Sequence, residues 1–165
     1  IRRPPRSTLS SSSAASDVYK RQVYNPTARF ARTLYPLTVT NPESEEWFAQ
    51  NYADSITADD YTVIMAYPYM ERVSAKSRWL KKLVRKASRN ADSLDKTVFK
   101  IQTYDWRGKN RIKDKTLNRW LRILASNGAS HLAYYPDNYT NNSPDMDIIR
   151  LMISTEDSPL NREPR

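Results

Sequence analysis

The sequence predicts an α/β fold in which parallel strands alternate with covering helices. Its strand-like segments begin near residues 28, 61, 97 and 131, so successive starts are 33, 36 and 34 residues apart. A steady β-then-α unit of this size is typical of parallel strands joined by right-handed helical crossovers. Two architectures use this unit, the open doubly wound sheet and the closed βα barrel. The sequence contains no G-x-G-x-x-G or P-loop motif, so the usual nucleotide signature of the open sheet is missing.

Composition narrows the classes of protein that the chain can belong to. Its 165 residues are enough for one domain with a sizeable core. Cysteine is absent, which excludes disulfides and cysteine-based metal sites, and with a single His we expect neither a metal nor another cofactor. No apolar run approaches the roughly 20 residues of a membrane span. The formal net charge of +9 raises nucleic acid as a possible partner.

Residues 1–22 carry much of this charge and differ from the rest of the chain. They are rich in Ser, Ala, Arg and Pro, and they have neither a periodic apolar face nor the apolar region of a signal peptide. They resemble an in-frame translation of a sequencing adapter, so we expect a disordered, non-native leader without a targeting signal. The leader holds a net charge of +4 and the remaining residues hold the other +5 of the +9, which is ordinary for their number.

The first βα unit is predicted from a strand around residues 28–35 and a helix that opens at residues 41–46. An Asn-Pro pair suits the start of that helix, and the acidic residues after it favour the positive end of the helix dipole. The helix would bury an apolar stripe made of Trp47, Phe48 and Tyr52. The second strand, residues 61–67, is a near-continuous apolar run typical of parallel sheets.

The second helix is predicted over residues 74–88. Its apolar residues fall at the spacing of one helical face and are Trp79, Leu80, Leu83, Val84 and Ala87. The lysines and arginines between them are typical of the solvated face of an outer helix, although such a cluster could also bind phosphates.

The third strand, residues 97–106, is predicted to run unbroken to a Tyr-Asp-Trp sequence. Phe99 and Ile101 share one face of this strand, and Lys100 and Gln102 share the other. Polar residues inside a buried strand suit a barrel, in which one strand face looks into the lumen. An acid beside an indole suits sugar binding, because the ring can stack on the apolar face of a pyranose. The alternative is a packed Trp and a turn-forming Asp.

The last units follow the same pattern. A helix is predicted over residues 114–126, with Asn127-Gly128 as its left-handed end and an apolar stripe of Leu117, Trp120, Leu121 and Leu124. The fourth strand is residues 131–135, and its His131 is predicted to be a packed core group. A short helix over residues 143–152 and a polar, frayed tail over 154–165 complete the chain, so the folded domain is predicted to span 23–153.

Four stretches of the sequence, in order, resemble one family. They are Asn-Pro-Glu-Ser-Glu-Glu-Trp-Phe-Ala-Gln from residue 41, Tyr-Thr-Val-Ile-Met-Ala-Tyr-Pro-Tyr-Met-Glu from 61, Asp-Lys-Thr-Val-Phe-Lys-Ile-Gln-Thr-Tyr-Asp-Trp-Arg from 95 and Tyr-Tyr-Pro-Asp-Asn from 134. From about residue 31 to 153 the chain is similar to the C-terminal glycoside-hydrolase domain of the bacterial poly-β-1,6-N-acetyl-D-glucosamine N-deacetylases of the PgaB type. The resemblance implies about four βα units from the C-terminal part of a TIM-like βα barrel, since a whole barrel takes about 250 residues and eight units.

The resemblance also implies an activity and a location. Family members are periplasmic or outer-membrane-associated enzymes of biofilms, in which a metal-dependent polysaccharide deacetylase precedes a barrel that cleaves partly deacetylated β-1,6-glucosamine polymer. The main catalytic acid is expected upstream of this chain, so no catalytic residue is assigned and the chain alone is expected to be inactive. The alternatives are a non-catalytic carbohydrate-binding or export module and, less favoured, a nucleic-acid-binding protein.

Candidate substrate-binding residues follow the predicted strand ends, where barrel sites form. They are Tyr67, Tyr69, Glu71, Asp105, Trp106, Tyr135 and Asp137. Their rings would stack on sugar faces, and their carboxylates would pair with the ammonium groups of deacetylated glucosamine. Glycoside cleavage generally needs two carboxylates across the scissile bond. A basic run from Arg107 to Lys115 lies at the same face, where it would repel a cationic polymer.

Overall fold

The computed structural model describes residues 23–147 and 149. The predicted leader, the predicted tail and the end of the predicted helix 143–152 lie outside these residues. In chain order the strands are β1 Ala31–Leu34, β2 Tyr61–Ala66, β3 Thr97–Gln102, β4 Tyr104–Asp105, β5 Asn110–Arg111 and β6 His131–Tyr135. The α-helices are α1 Leu37–Thr40, α2 Glu45–Phe48, α3 Tyr52–Ala58, α4 Lys76–Ala87 and α5 Asp114–Ala125.

Four of the strands form one parallel sheet in the order β1-β2-β3-β6. Helix α4 connects β2 to β3, and α5 connects β3 to β6, so each connection is a helical crossover. The predicted α/β fold with parallel strands is therefore confirmed. Because parallel strands end at the same edge of a sheet, the segments that follow β2, β3 and β6 lie side by side.

The two faces of the sheet differ in burial. Ile64, Phe99 and Ile101 are fully buried on one face and belong to the same core cluster as the apolar stripes of α4 and α5. The opposite face carries Met65 and Lys100, which are only partly buried. In the described residues, helices therefore cover one face of the sheet, and the other face carries the polar side chains predicted for a lumen.

The segment after β1 does not form the single helix predicted to open at residue 41. A short helix α1 is followed by a 3-10 turn and then by the one-turn helix α2, which ends at Ala49 with a left-handed φ of 49°. Tyr52 belongs to a separate helix, α3, whose first turn is capped by the Asn51 side chain. Trp47 is 69 % exposed, so the predicted apolar stripe was wrong.

The third strand ends earlier than predicted. The N–H of Thr103 still donates to the carbonyl of Tyr135 on β6 at 2.8 Å, but its own carbonyl turns out of the sheet and accepts from the N–H of Ile112 at 2.9 Å. The chain then forms a hairpin in which β4 and β5 pair antiparallel. Trp106 therefore lies in the turn of this hairpin, and the prediction of one unbroken strand over residues 97–106 was wrong.

The longer elements agree with the predictions. Helices α4 and α5 begin and end within two residues of their predicted bounds, and β6 has the predicted bounds. His131, however, is only partly buried and packs edge-on against the ring of Tyr61, with 5.7 Å between the ring centroids. It lies on the incompletely covered face of the sheet, so the prediction of a core histidine was wrong.

The end of α5 depends on Gly128. This residue has a left-handed φ of 102°, and the N–H of the following Ala129 donates to the carbonyl of Leu124 at 3.1 Å. A left-handed conformation costs a residue with a Cβ atom about 1–2 kcal/mol. We expect Gly128→Ala to lower the free energy of unfolding by that amount in urea titration. Ser126→Ala, a right-handed position in the same turn, should change it far less, and equal losses would contradict this account.

Candidate functional site

Three of the aromatic rings predicted to bind sugar meet at the carboxyl end of the sheet. The ring centroid of Trp106 lies 5.8 Å from that of Tyr67 and 6.3 Å from that of Tyr135. The planes of Trp106 and Tyr135 are inclined by only 28°, and the two residues are 39 % and 55 % exposed. Tyr67 is buried beside them. We call these three residues the aromatic cluster; it presents flat, exposed apolar surface next to polar groups.

Gln102 holds the segments that carry the cluster. Its side chain is fully buried at the end of β3, and its Oε1 accepts hydrogen bonds from the N–H groups of Tyr69 at 2.9 Å and Met70 at 3.3 Å. Its Nε2 donates to the carbonyl of Tyr104 at 2.7 Å. One amide thus ties the loop after β2 to the start of the hairpin, and so places Tyr67 and Trp106 side by side.

The hydroxyl of Tyr67 remains protonated over the whole physiological range. Burial, and secondarily the neighbouring phenol of Tyr135, raises the pKa of Tyr67 to about 12. A protonated phenol can donate a hydrogen bond to a sugar oxygen. The aromatic cluster therefore offers a polar donor beside its stacking surfaces.

Lys100 was not predicted as a site residue, although its position inside an apolar strand was a signal for one. It lies on the incompletely covered face of the sheet, and its Nζ is 5.9 Å from the centroid of the Tyr135 ring. Burial lowers the pKa of Lys100, because the charged amine loses solvation there. The aromatic cluster thus has a hydrogen-bond donor next to it, on the incompletely covered face of β3.

The three predicted carboxylates lie in different surroundings. Asp105 is engaged in the hairpin turn, where its Oδ1 accepts a hydrogen bond from the N–H of Arg107 at 3.0 Å. A Cβ atom at Gly108 would lie 2.6 Å from Asn110 Nδ2 and 2.7 Å from Asp105 Oδ2, so a larger residue there would displace the carboxylate from the turn. Asp137 is exposed. Glu71, like Asp105, is partly buried, and burial raises the pKa of Glu71.

Tyr69 points away from the aromatic cluster. Its ring centroid is 5.9 Å from that of Trp120 on α5, and the Nζ of Lys76 lies 4.4 Å from the centre of the Tyr69 ring. Tyr69 therefore lines a different surface, between α4 and α5. The structure brings together Tyr67, Trp106 and Tyr135, and it separates Tyr69 from them.

The basic run at this face is partly neutralised. Arg111 on β5 forms an ion pair with Asp114 at 2.6 Å, whereas Arg107 and Lys109 lie on the exposed turn of the hairpin. In the described part of the chain, no group of three or more His, Asp or Glu residues could hold a metal ion. No helix among the described residues is long and apolar enough to cross a membrane.

Replacing Glu71 by glutamine is expected to raise the melting temperature at about pH 7. Below about pH 4, near the ordinary pKa of glutamate, the same substitution should leave the melting temperature almost unchanged. Burial raises the folded-state pKa of Glu71, so ionisation destabilises the fold progressively as the pH rises from the unfolded-state pKa through the folded-state pKa. Glutamine does not ionise, so the variant does not lose stability in this way as the pH rises. Glu46→Gln, at an exposed position, is the control, and a Glu71→Gln difference that is constant with pH would contradict the prediction.

Comparison with known proteins gives consistent similarities. The family model GHL13, described as hypothetical glycosyl hydrolase family 13, matches residues 10–135, which takes in part of the predicted leader. The chain is 38 % identical over 146 residues to the poly-β-1,6-N-acetyl-D-glucosamine N-deacetylase of Escherichia coli K12, covering 86 % of this chain and 22 % of that protein. The protein of the same name from Escherichia coli O157:H7 gives the same values.

A solved structure is similar as well. The PgaB (BpsB) glycoside hydrolase domain from Bordetella bronchiseptica superposes with a TM-score of 0.78 and is 31 % identical, covering 85 % of this chain and 42 % of that one. The chain thus spans about a fifth of the length of the curated relatives it matches, and less than half of the glycoside hydrolase domain.

Proposed function

Because the chain belongs to the glycosyl hydrolase family GHL13, we propose that its aromatic cluster binds sugar residues of a β-1,6-linked glucosamine and N-acetylglucosamine polymer. The resemblance predicted from the four sequence stretches is confirmed by these similarities. The fold prediction is confirmed too, since the parallel sheet and its helices match part of a TIM-like glycoside hydrolase domain. The polymer is proposed from the name of the curated relatives.

The observation that carries the proposal is the exposed pair Trp106 and Tyr135 at the carboxyl end of the sheet. Their rings are nearly parallel and lie over the loop ends where barrel enzymes bind substrate. A pyranose has an apolar face of C–H groups that packs on such rings, and its hydroxyls need polar partners nearby. The Tyr67 phenol and the Lys100 amine could supply those hydrogen bonds.

Glu71 gives the proposed site a preference for deacetylated sugar. A carboxylate that burial disfavours gains more from a nearby cation than a solvated one does, so an ammonium group on the polymer would be a favourable partner. Asp105 and Asp137 remain proposed contacts at the rim of the same face. Tyr69, in contrast, would contact the polymer only if the polymer also crosses the surface between α4 and α5.

Hydrolysis of the polymer is proposed for the whole protein. Cleavage of a glycosidic bond generally uses two carboxylates on opposite sides of that bond. Glu71 and Asp105 are the partly buried carboxylates of the candidate site among the described residues, and we propose that the main catalytic acid lies outside these residues. We further propose that the protein acts in the periplasm or at the outer membrane and that nucleic acid is not its partner.

Trp106→Ala is expected to weaken binding of β-1,6-glucosamine oligomers by about five- to tenfold, the effect of losing about 1 kcal/mol of ring stacking. The measurement is isothermal titration calorimetry with the 165-residue chain. Trp47→Ala is the matched control, because Trp47 is also exposed but lies on α2. Unchanged affinity in the Trp106 variant, or equal losses in both, would remove Trp106 from the groove.

Two further measurements separate the alternative functions. Oligomer binding without release of new reducing ends would favour a carbohydrate-binding module over a hydrolase for this chain alone. Steeply salt-dependent DNA binding that survives deletion of residues 1–22 would support the nucleic-acid alternative.

A further inference from the structure

A basic cavity lies between the beginnings of α4 and α5, apart from the aromatic cluster. Its volume is about 510 Å³, and the side chains of Lys76, Arg78 and Arg119 contribute its charge. Ser77, Thr116 and Trp120 also line it, and none of the described residues at its wall is acidic. A volume of this size lies within the range of about 300–1,000 Å³ typical of small-molecule sites.

The three cations come from two helices, and no acidic residue of the described part of the chain pairs with them. Lys76 and Arg78 belong to the first turn of α4, and Arg119 belongs to α5. None of the three forms a salt bridge within the described ranges, 23–147 and 149. Lys76 packs on the Tyr69 ring, but cations that line one cavity without a counter-charge repel each other, so this arrangement favours a bound anion.

The beginning of α4 adds backbone donors to the same cavity. Ala75 is the N-cap and provides no side-chain cap, and the first turn has no acidic residue. Among the described residues, no acceptor is found for the backbone N–H groups of Ser77 and Arg78. Cations in a first turn are repelled by the positive end of the helix dipole. An anion bound there would be attracted both by the dipole and by these cations.

Trp120 is an independent indication of a ligand. It lines the cavity and is only 1 % exposed, yet its indole Nε1–H has no hydrogen-bond partner within the part of the chain that the structure describes. Buried indole N–H groups usually have an acceptor, and leaving one unpaired is unfavourable. The nitrogen itself is covered by protein atoms, so an oxygen-rich anion in the cavity would become its acceptor through a small shift of the Trp120 ring.

We propose that this cavity binds a phosphate group, either as inorganic phosphate or as the phosphate of a small phosphorylated saccharide. Phosphate oxygens suit the planar donor forks of two arginines together with an ammonium and backbone N–H groups. Tyr69 also lines the cavity, where the Nζ of Lys76 packs on its ring and is thereby held at the cavity wall. The inference is independent of the proposed sugar groove.

The test is calorimetric titration of the 165-residue chain with inorganic phosphate, glucosamine 6-phosphate and glucosamine. Both phosphate compounds should bind, and the double variant Arg78→Gln/Arg119→Gln should weaken them by at least about tenfold, since two charge-assisted contacts are lost. Lys82→Gln/Arg85→Gln removes the same charge from exposed positions of α4 outside the cavity and should leave affinity unchanged. Equal losses in both double variants, or no binding by the unmodified chain, would overturn the proposal.

The remaining outcomes identify the source of the phosphate. Glucosamine 6-phosphate binding at least about tenfold tighter than inorganic phosphate would assign the cavity to a phosphorylated saccharide, because the sugar then contributes its own contacts. Equal affinities would assign it to phosphate itself.

Trp106→Ala should leave phosphate binding intact, so failure of the sugar-groove proposal is distinguishable from failure of this one. An indole N–H resonance of Trp120 that is unmoved by saturating phosphate would contradict the placement of the ligand.

Discussion

Replacing Phe99 by alanine is expected to lower the free energy of unfolding by about 3–5 kcal/mol. Phe99 is fully buried at the centre of β3, where it is in register with Ile64 on β2 and Leu132 on β6. Removing its ring leaves a cavity between the sheet and the helices, and close-packed interiors fill such cavities only in part. Single domains are stable by only about 5–15 kcal/mol, so urea titration should show a large shift of the midpoint.

Val98→Ala is the control for this prediction. Val98 is the neighbouring residue on the same strand, but it points to the opposite face and is only partly buried. Val98→Ala should lower the free energy of unfolding by about 1 kcal/mol, as is ordinary for a small truncation at such a position. Equal losses at the two positions would mean that both faces of the sheet are equally covered, which contradicts the one-sided core.

The sequence predicted the long elements well because their apolar residues repeat over several turns. Helices α4 and α5 each have 12 residues, and the same stripe that identifies them in the sequence packs on the sheet. The region between β1 and β2 was predicted wrongly because its helices have only one or two turns. The left-handed Ala49 and the Asn51 cap, which depend on local hydrogen bonds, set its boundaries.

The candidate site was foreseeable to the extent that it follows from strand topology. Tyr67 comes just after the end of β2, and Tyr135 is the last residue of β6. Parallel strands bring these ends together at one edge of the sheet. The direction of Tyr69 was not foreseeable, because it depends on backbone hydrogen bonds to Gln102 and on packing against Trp120. The basic cavity was also missed as a unit, since it exists only where α4 and α5 lie side by side.

Gln102→Leu is expected to lower the free energy of unfolding by about 2–4 kcal/mol. The substitution keeps the approximate size of the side chain but removes both of its polar atoms. The N–H groups of Tyr69 and Met70 and the carbonyl of Tyr104 would lose their partner together. Because Gln102 is fully buried, water cannot easily replace these bonds, and each unpaired group is costly.

Gln50→Leu is the matched control. The Gln50 side chain also accepts from one backbone N–H and donates to one carbonyl, at 3.2 Å from Tyr35 and 3.4 Å from Thr33, but it is only partly buried. Water can take over its hydrogen bonds, so the loss should stay below about 1 kcal/mol. Equal losses in the two leucine variants would show that burial of Gln102 does not determine its contribution.

Affinity for glucosamine oligomers distinguishes the role of Gln102 from that of the core. Gln102 ties the loop that follows Tyr67 to the hairpin that carries Trp106, so Gln102→Leu should weaken oligomer binding even under conditions where the variant is fully folded. Phe99→Ala should lose comparable stability while the molecules that remain folded bind normally, because Phe99 packs on the helix-covered face. Normal binding by folded Gln102→Leu would mean that the aromatic cluster is positioned without this amide.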